Sequence, residues 1–132
     1  MTLRQLFLID AAGGLLSAIM LGVVLVRLQA WVGIPTSVLY TLAVFPLVFM
    51  VYDLVCYWVG GTARPTLMKI IAYLNFGYCG LSISAAMQHR SEITMLGWGY
   101  VLVEILILIL LASYELKIAR RESAGSVKLG AV

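Results

Sequence analysis

Four long apolar segments dominate this chain and leave it little choice of fold. They cover residues 6–28, 37–59, 66–87 and 95–114. A helix rises about 1.5 Å per residue, so about 20 residues cross the roughly 30 Å hydrocarbon core of a bilayer. Each segment has that length, and the sequence therefore predicts four transmembrane helices.

The overall composition points to the same class of protein. Hydrophobic residues make up 63% of the 132 positions, charged residues make up 11%, and the mean hydropathy is +1.04. A soluble domain carries about 25% charged residues, which cover its surface. We therefore expect an integral membrane protein whose main partner is the lipid bilayer.

The connections between the apolar segments are short, which makes consecutive helices antiparallel neighbours. The predicted fold is an all-α membrane protein, an antiparallel bundle of four transmembrane helices, forming a single domain over residues 1–121. Residues 122–132 are small and polar. A segment of that composition buries too little apolar surface to fold, so we predict a flexible tail.

Basic residues predict the orientation. Seven of the nine lysines and arginines fall on the side that holds both termini and the middle loop, and only Arg27 and Arg90 fall on the other. Cytoplasmic loops carry an excess of basic residues, so both termini and the tail are expected in the cytoplasm. The predicted location is the bacterial inner (cytoplasmic) membrane.

Several functional classes lack support in the sequence. The basic residues lie outside the apolar segments or near their ends and mark topology, so no nucleic-acid partner is expected. The two cysteines, Cys56 and Cys79, form no CxxC pair, and His89 is the single histidine. We therefore predict no metal site, no cofactor and no catalytic residues, and expect a protein that is not an enzyme.

Polar residues inside the apolar segments form the candidate site. A charged group at the bilayer centre costs about 2.5–3.5 kcal/mol, so such residues face the bundle interior, form pairs or take up a proton. Asp53 and Glu104 stand out, because acidic residues are rare within membrane spans. The predicted proton or ligand site consists of Asp53, Asn75, Glu104, Tyr73 and Tyr100, with Tyr52 and Tyr78 nearby.

A structural role explains the same residues equally well. In that alternative Asp53, Lys69 and Asp10 form a candidate ion-pair group near one membrane face, with Asp53 paired to Lys69. Asp10 is also shallow enough to reach the membrane interface. Glu104 stays protonated and bonds Asn75 or a tyrosine. Such pairs fix the register of the helices and need no ligand.

Small residues predict where helices approach closely. Gly14, Ala18 and Gly22 are spaced four apart on the first span, and Gly77 and Gly80 lie on the third. Small residues at this spacing let two backbones pack closely in a membrane. The partner helix can belong to the same chain or to another one.

The segments DAAGGLLSAIMLGVVLVRL, GIPTSVLY, YDLVCY and LGWGYVLVEILILILL, with ELK after the last, resemble parts of uncharacterised small four-span bacterial membrane proteins. The resemblance covers most of residues 6–117. It implies a four-helix integral membrane protein and no particular function.

Three functions remain open from the sequence. The first is a small non-enzymatic membrane protein that packs with itself, as a homo-oligomer, or with a larger membrane complex. The second is a proton- or cation-coupled small oligomeric carrier that uses Glu104 and Asp53. The third is a binder of a lipid-like ligand, such as a quinone or a carotenoid.

Overall fold

The computed structural model describes the backbone of residues 2–130 and the side chains of residues 2–122. It is helical and contains no strand within that range. Four of its helices are long and apolar enough to cross a membrane. We call them spans 1 to 4: Leu3–Arg27, Thr36–Val59, Arg64–Gln88 and Met95–Gly130. The four predicted transmembrane helices are therefore confirmed.

The ends of the spans differ from the prediction mainly in span 4. Spans 1 to 3 begin or end within about three residues of the predicted positions. Span 4 was predicted to end at Tyr114, but its helix continues to Gly130. This correction brings Glu115 into the bundle. The predicted tail begins inside the same helix. Residues 131 and 132 lie outside the described range. The flexibility of the tail therefore stays a prediction.

Local sequence signals explain how span 1 begins and continues. Thr2 and Gln5 form a capping box, in which each side chain accepts a hydrogen bond of 3.2 Å from the backbone N–H of the other. This arrangement satisfies two N–H groups at the start of the helix. Further along, Met20–Val24 forms a π-helical turn before Leu25–Arg27 completes the span. Such turns commonly occur at functional sites.

The bundle has two ends. Both termini and the loop between spans 2 and 3 lie at the end we call the terminal end, where Arg4 and Arg64 donate hydrogen bonds to the carbonyl oxygen of Tyr57. Basic groups at a helix C-terminus stabilise its last carbonyls. The other two loops lie at the opposite end, the loop end. Which end faces the cytoplasm stays a prediction.

The loops at the loop end are tied together by Thr94. Its backbone N–H donates to the carbonyl of Val32 at 3.0 Å, and its hydroxyl accepts a 3.2 Å hydrogen bond from the backbone N–H of Gly97. Gly97 also lies against the carbonyl of Val32, where a Cβ atom would not fit. A short helix, Gln29–Val32, leads into this contact and ends at Gly33, which has a φ of +76°. Glycine adopts that angle without strain.

The four spans pack as two helical hairpins. Span 1 packs most extensively on span 2, and span 3 on span 4, while spans 2 and 3 contact each other much less. Gly14 explains the first pair, since a Cβ atom there would lie 2.8 Å from the carbonyl oxygen of Pro46. Gly22 faces Ala43 in the same way, at 3.5 Å. The missing side chains allow the two backbones to approach closely.

Two apolar clusters form the core. The cluster at the terminal end contains Leu6, Phe7, Met68 and Ile71 among others, and the second cluster extends from the middle of the bundle to the loop end. Along every span, a buried acidic or amide side chain falls in sequence between the residues of one cluster and those of the other. These side chains are Asp10, Asp53, Asn75, Glu104 and Glu115. The polar residues thus lie between the two apolar clusters, in a zone about three helical turns deep on span 4 that we call the polar layer.

Candidate functional site

A cavity of about 190 Å³ lies in this polar layer. All four spans contribute to its wall, which is mainly apolar. Gly13 and Ser17 leave the space on span 1, because a larger side chain at those positions would fill it, while Gly14 lines the cavity where span 1 packs against Pro46. The polar side chains of the wall are Asp10, Ser17, Asn75, Tyr78, Tyr100 and Glu104.

Glu104 is the central polar group of the cavity. The hydroxyl of Tyr78 donates a 2.9 Å hydrogen bond to Oε1 of Glu104, and the Tyr100 hydroxyl lies close to the same carboxyl group. The Tyr78 ring is itself held by Phe45 and Phe49, whose ring centroids lie 6.1 and 6.2 Å away. These contacts fix the carboxyl group against the cavity wall.

The second oxygen of Glu104 has no donor. We use the term open oxygen for a buried carboxyl oxygen that accepts no hydrogen bond from the described residues. Oε2 of Glu104 is an open oxygen. The residue is only 8% exposed. Leaving such a buried acceptor unsatisfied costs about 1–3 kcal/mol. Because Glu104 also lines the cavity, its open oxygen indicates a place where a donor or a proton binds.

Asp10 forms a second polar point on the wall. The amide of Asn75 donates to Oδ1 of Asp10 over 3.5 Å, at the outer limit for a hydrogen bond, and Oδ2 is an open oxygen. Asp10 is 5% exposed. The expectation that Asp10 reaches the membrane interface is therefore wrong: its carboxyl group lies inside the bundle.

Behind Asp10 lies a cluster of three carboxyl groups. Asp53 and Glu115 are fully buried, and both interact directly with the carboxyl group of Asp10. All four oxygens of Asp53 and Glu115 are open oxygens. Spans 1, 2 and 4 each supply one member of this carboxyl cluster. Asp10 belongs both to the cluster and to the cavity wall.

The structure brings together most of the predicted site. Asn75, Tyr100 and Glu104 line the cavity. Asp53 lies behind Asp10, outside the lining. The Tyr52 hydroxyl donates to the carbonyl of Leu67 at 2.7 Å and so is engaged elsewhere.

Three predicted residues lie on the outer face of span 3. Tyr73 is 58% exposed on the outer surface and does not line the cavity, so its part in the site stays a prediction. At Gly77 and Gly80, an added Cβ atom would meet no described atom within 4 Å. These two glycines therefore do not pack against another span of this chain, in contrast to Gly14 and Gly22.

The predicted ion pair between Asp53 and Lys69 takes no hydrogen-bonded form, because both oxygens of Asp53 are open oxygens. Lys69 is partly buried on span 3. Its pairing with Asp53 stays a prediction.

Glu115 is the important residue that the sequence reasoning missed. It was placed beyond the end of the fourth segment, in the cytoplasm. Glu115 follows Glu104 by eleven residues, about three helical turns, so both carboxyl groups point to the same face of span 4. Leu108 and Leu111 continue the helix face of Glu104, and Glu115 is the next position on that face, which is the signal that could have found it.

The cavity opens towards the lipid between spans 1 and 4. Leu16, Val103 and Ile107 line the cavity and are also 62%, 57% and 57% exposed on the outer surface. Spans 1 and 4 contact each other only weakly. A ligand dissolved in the hydrocarbon region thus has a direct way to the cavity.

The described side chains contain no group of three or more His, Cys, Asp or Glu residues placed to hold a metal ion.

No protein-family model, curated protein or solved structure matches this chain. Any functional conclusion therefore rests on the residues of the polar layer themselves.

Replacing Tyr78 by Phe should destabilise the protein by about 0.5–2 kcal/mol, because it removes the donor to Oε1 of Glu104. The free energy of unfolding in mixed micelles measures the effect. Tyr73→Phe is the matched control, since the Tyr73 side chain is exposed. Equal stability of the two variants would contradict the assigned hydrogen bond.

Proposed function

We propose that this membrane protein binds a small lipophilic amine cation in the cavity of the polar layer, with Glu104 as the anionic anchor. One observation carries the proposal: Glu104 and Asp10, which each have an open oxygen, line the same mainly apolar cavity. The protein acts by binding and is not an enzyme.

The chemistry of the wall favours a cation with N–H groups. A protonated amine donates hydrogen bonds to carboxyl oxygens and supplies the positive charge that a buried carboxylate needs. The apolar wall, in turn, favours an apolar body over water. A ligand that combines both features satisfies the whole lining, as is typical of small-molecule sites with few polar groups.

The size of the cavity limits the ligand to about one ring. An engineered cavity of about 150 Å³ holds benzene, whereas drug-sized ligands occupy about 300–1,000 Å³. At about 190 Å³, this cavity belongs to the smaller class. Large carotenoids and intact quinones with long tails therefore fit less well than a short aromatic or alkyl amine.

The lateral opening supports the same class of ligand. Lipophilic amines concentrate in the membrane, and the gap beside Leu16 and Ile107 faces the hydrocarbon.

A proton- or cation-coupled carrier, which we consider an extension of this function, would use the same site. The distribution of basic residues supports cytoplasmic termini. The bacterial inner membrane stays a prediction.

The test compares 2-phenylethylamine, which is protonated at neutral pH, with the neutral alcohol 2-phenylethanol of the same size. Met20 lines the cavity and Met95 lies far outside it on the surface. In protein labelled with ¹³C at the methionine methyl groups and embedded in nanodiscs, the amine should shift the Met20 resonance and leave Met95 unchanged. Glu104→Gln should weaken binding about tenfold or more, the effect of losing a charged hydrogen bond.

Glu92→Gln is the matched control, because the Glu92 side chain is exposed in the loop before span 4. Its affinity for the amine should equal that of the unchanged protein. The proposal fails if the alcohol shifts Met20 as strongly as the amine does, or if Glu104→Gln leaves the affinity unchanged.

A second candidate function is assembly with another copy of the chain or with a larger membrane complex. The outer face of span 3 favours it, because Gly77 and Gly80 leave open space beside exposed Tyr73. Small residues on a lipid-facing helix allow a second helix to approach closely. This function is compatible with a ligand site inside the bundle.

Native mass spectrometry from gentle detergent tests the assembly. We expect an oligomer, or a complex with other polypeptides, that Gly77→Leu dissociates by blocking the close approach. Gly99→Leu is the control, since Gly99 is also exposed and has no described atom near its Cβ position. A monomer in the unchanged protein would rule out the assembly.

A further inference from the structure

The carboxyl cluster is not explained by ligand binding alone. Asp10 reaches the cavity, but Asp53 and Glu115 are fully buried behind it and do not line the cavity. Their four open oxygens indicate a ligand that carboxyl oxygens can hold. That ligand must be small enough to bind without a cavity. The proton is such a ligand.

We propose that Asp10, Asp53 and Glu115 form a buried proton-binding site that holds at least one shared proton at neutral pH. We further propose that a proton leaves this site when a cation binds in the cavity. The first statement stands without the proposed function, whereas the second rests on it.

The surroundings of the cluster support the first statement. The groups that interact with it are Asn75 on span 3, Cys56 and Tyr52 on span 2, and its own members on spans 1, 2 and 4; Lys69 lies partly buried on span 3. The Tyr52 hydroxyl is engaged with Leu67, and Arg4 and Arg64 donate to backbone carbonyls at the end of span 2.

Charge balance then requires a proton. Even if the ammonium group of Lys69 neutralises one member, three ionised carboxylates would leave two negative charges inside the bundle. Uncompensated charges there cost several kcal/mol each. Carboxyl groups in contact avoid this cost by sharing a proton, since a carboxylic acid donates a hydrogen bond to a neighbouring carboxylate.

A metal ion is the other cation that could neutralise the cluster. The geometry of the described residues does not favour it, because no set of three ligating side chains is placed around a common point. A proton needs only two neighbouring oxygens.

Asp10 provides the link to the cavity. An amine cation next to the open oxygen of Asp10 stabilises the ionised form of that carboxyl group. One carboxyl O–H bond of the cluster then breaks, and its proton passes to water at the terminal end. The ammonium group keeps its own protons, so one positive charge enters and one leaves, and the net charge of the bundle stays the same.

Infrared spectroscopy of the protein in lipid, without any amine, tests the proton site directly. The carbonyl stretch of protonated carboxyl groups should be present at neutral pH and should lose intensity in Asp53→Asn and in Glu115→Gln. Glu92→Gln and Glu122→Gln are the controls, since both side chains are exposed, and should leave the band unchanged. Thermal unfolding of the same samples checks that the variants fold.

The possible outcomes separate the claims. A band that is absent at neutral pH, or that disappears completely in Glu104→Gln alone, would overturn the proton site. A structural ion pair between Asp53 and Lys69 predicts that Asp53→Asn unfolds at a lower temperature. A protonated Asp53 predicts no loss of stability in that variant. A large loss of thermal stability without a change in the infrared band therefore contradicts the proposal.

The coupling is measured by adding 2-phenylethylamine to weakly buffered protein with a pH indicator. About one proton should be released per bound amine, and Asp53→Asn should reduce that release while Met20 still reports binding. Amine binding without proton release would overturn the coupling and leave the binding function standing. Absence of amine binding would overturn the proposed function, while the infrared band would still decide the proton site.

Discussion

Burying carboxyl groups inside a membrane bundle costs free energy, and the packing of this structure limits that cost. Asp10, Asp53, Glu104 and Glu115 all point inward, and apolar clusters close the layer above and below them. In lipid, no water can replace a missing donor, so each oxygen must find a partner within the protein, a proton or a ligand. Tyr78 and Asn75 provide partners for two oxygens, and six remain open.

Small residues decide where this layer has space. Gly14 brings span 1 against the carbonyl of Pro46, whereas Gly13, one position earlier, has no described atom near its Cβ position and borders the cavity. Two adjacent glycines thus serve opposite purposes, one in close packing and the other in leaving a gap. The π-helical turn at Met20–Val24 begins with Met20, at the wall of the same gap.

Hydropathy predicted the four spans because lipid demands long apolar helices whatever the tertiary contacts are. The same apolar character gave no indication of how each helix is rotated about its own axis. On span 3 both faces are largely apolar, so the sequence could not show that Tyr73, Gly77 and Gly80 point outward while Tyr78 and Cys79 point inward. Glu104 and Asn75 were correctly placed in the interior, since a polar side chain in lipid has only one favourable direction.

Glu115 shows a different limit of sequence reasoning. Hydropathy falls near Tyr114, which suggested a span end, but the helix continues and buries the next residue completely. A carboxyl group at the end of an apolar segment normally marks the interface. Only the tertiary arrangement, which brings Asp10 and Asp53 from two other spans near Glu115, gives this residue an interior role.

The central claim is that three spans bring their carboxyl groups into contact in one buried layer. Solid-state NMR of the protein in lipid bilayers, with ¹³C-labelled aspartate and glutamate, measures this contact directly. We expect through-space cross-peaks from the side-chain carboxyl carbon of Asp10 to those of both Asp53 and Glu115. If Glu115 gave no cross-peak to Asp10 and its carboxyl group exchanged freely with water, the buried cluster and everything inferred from it would be contradicted.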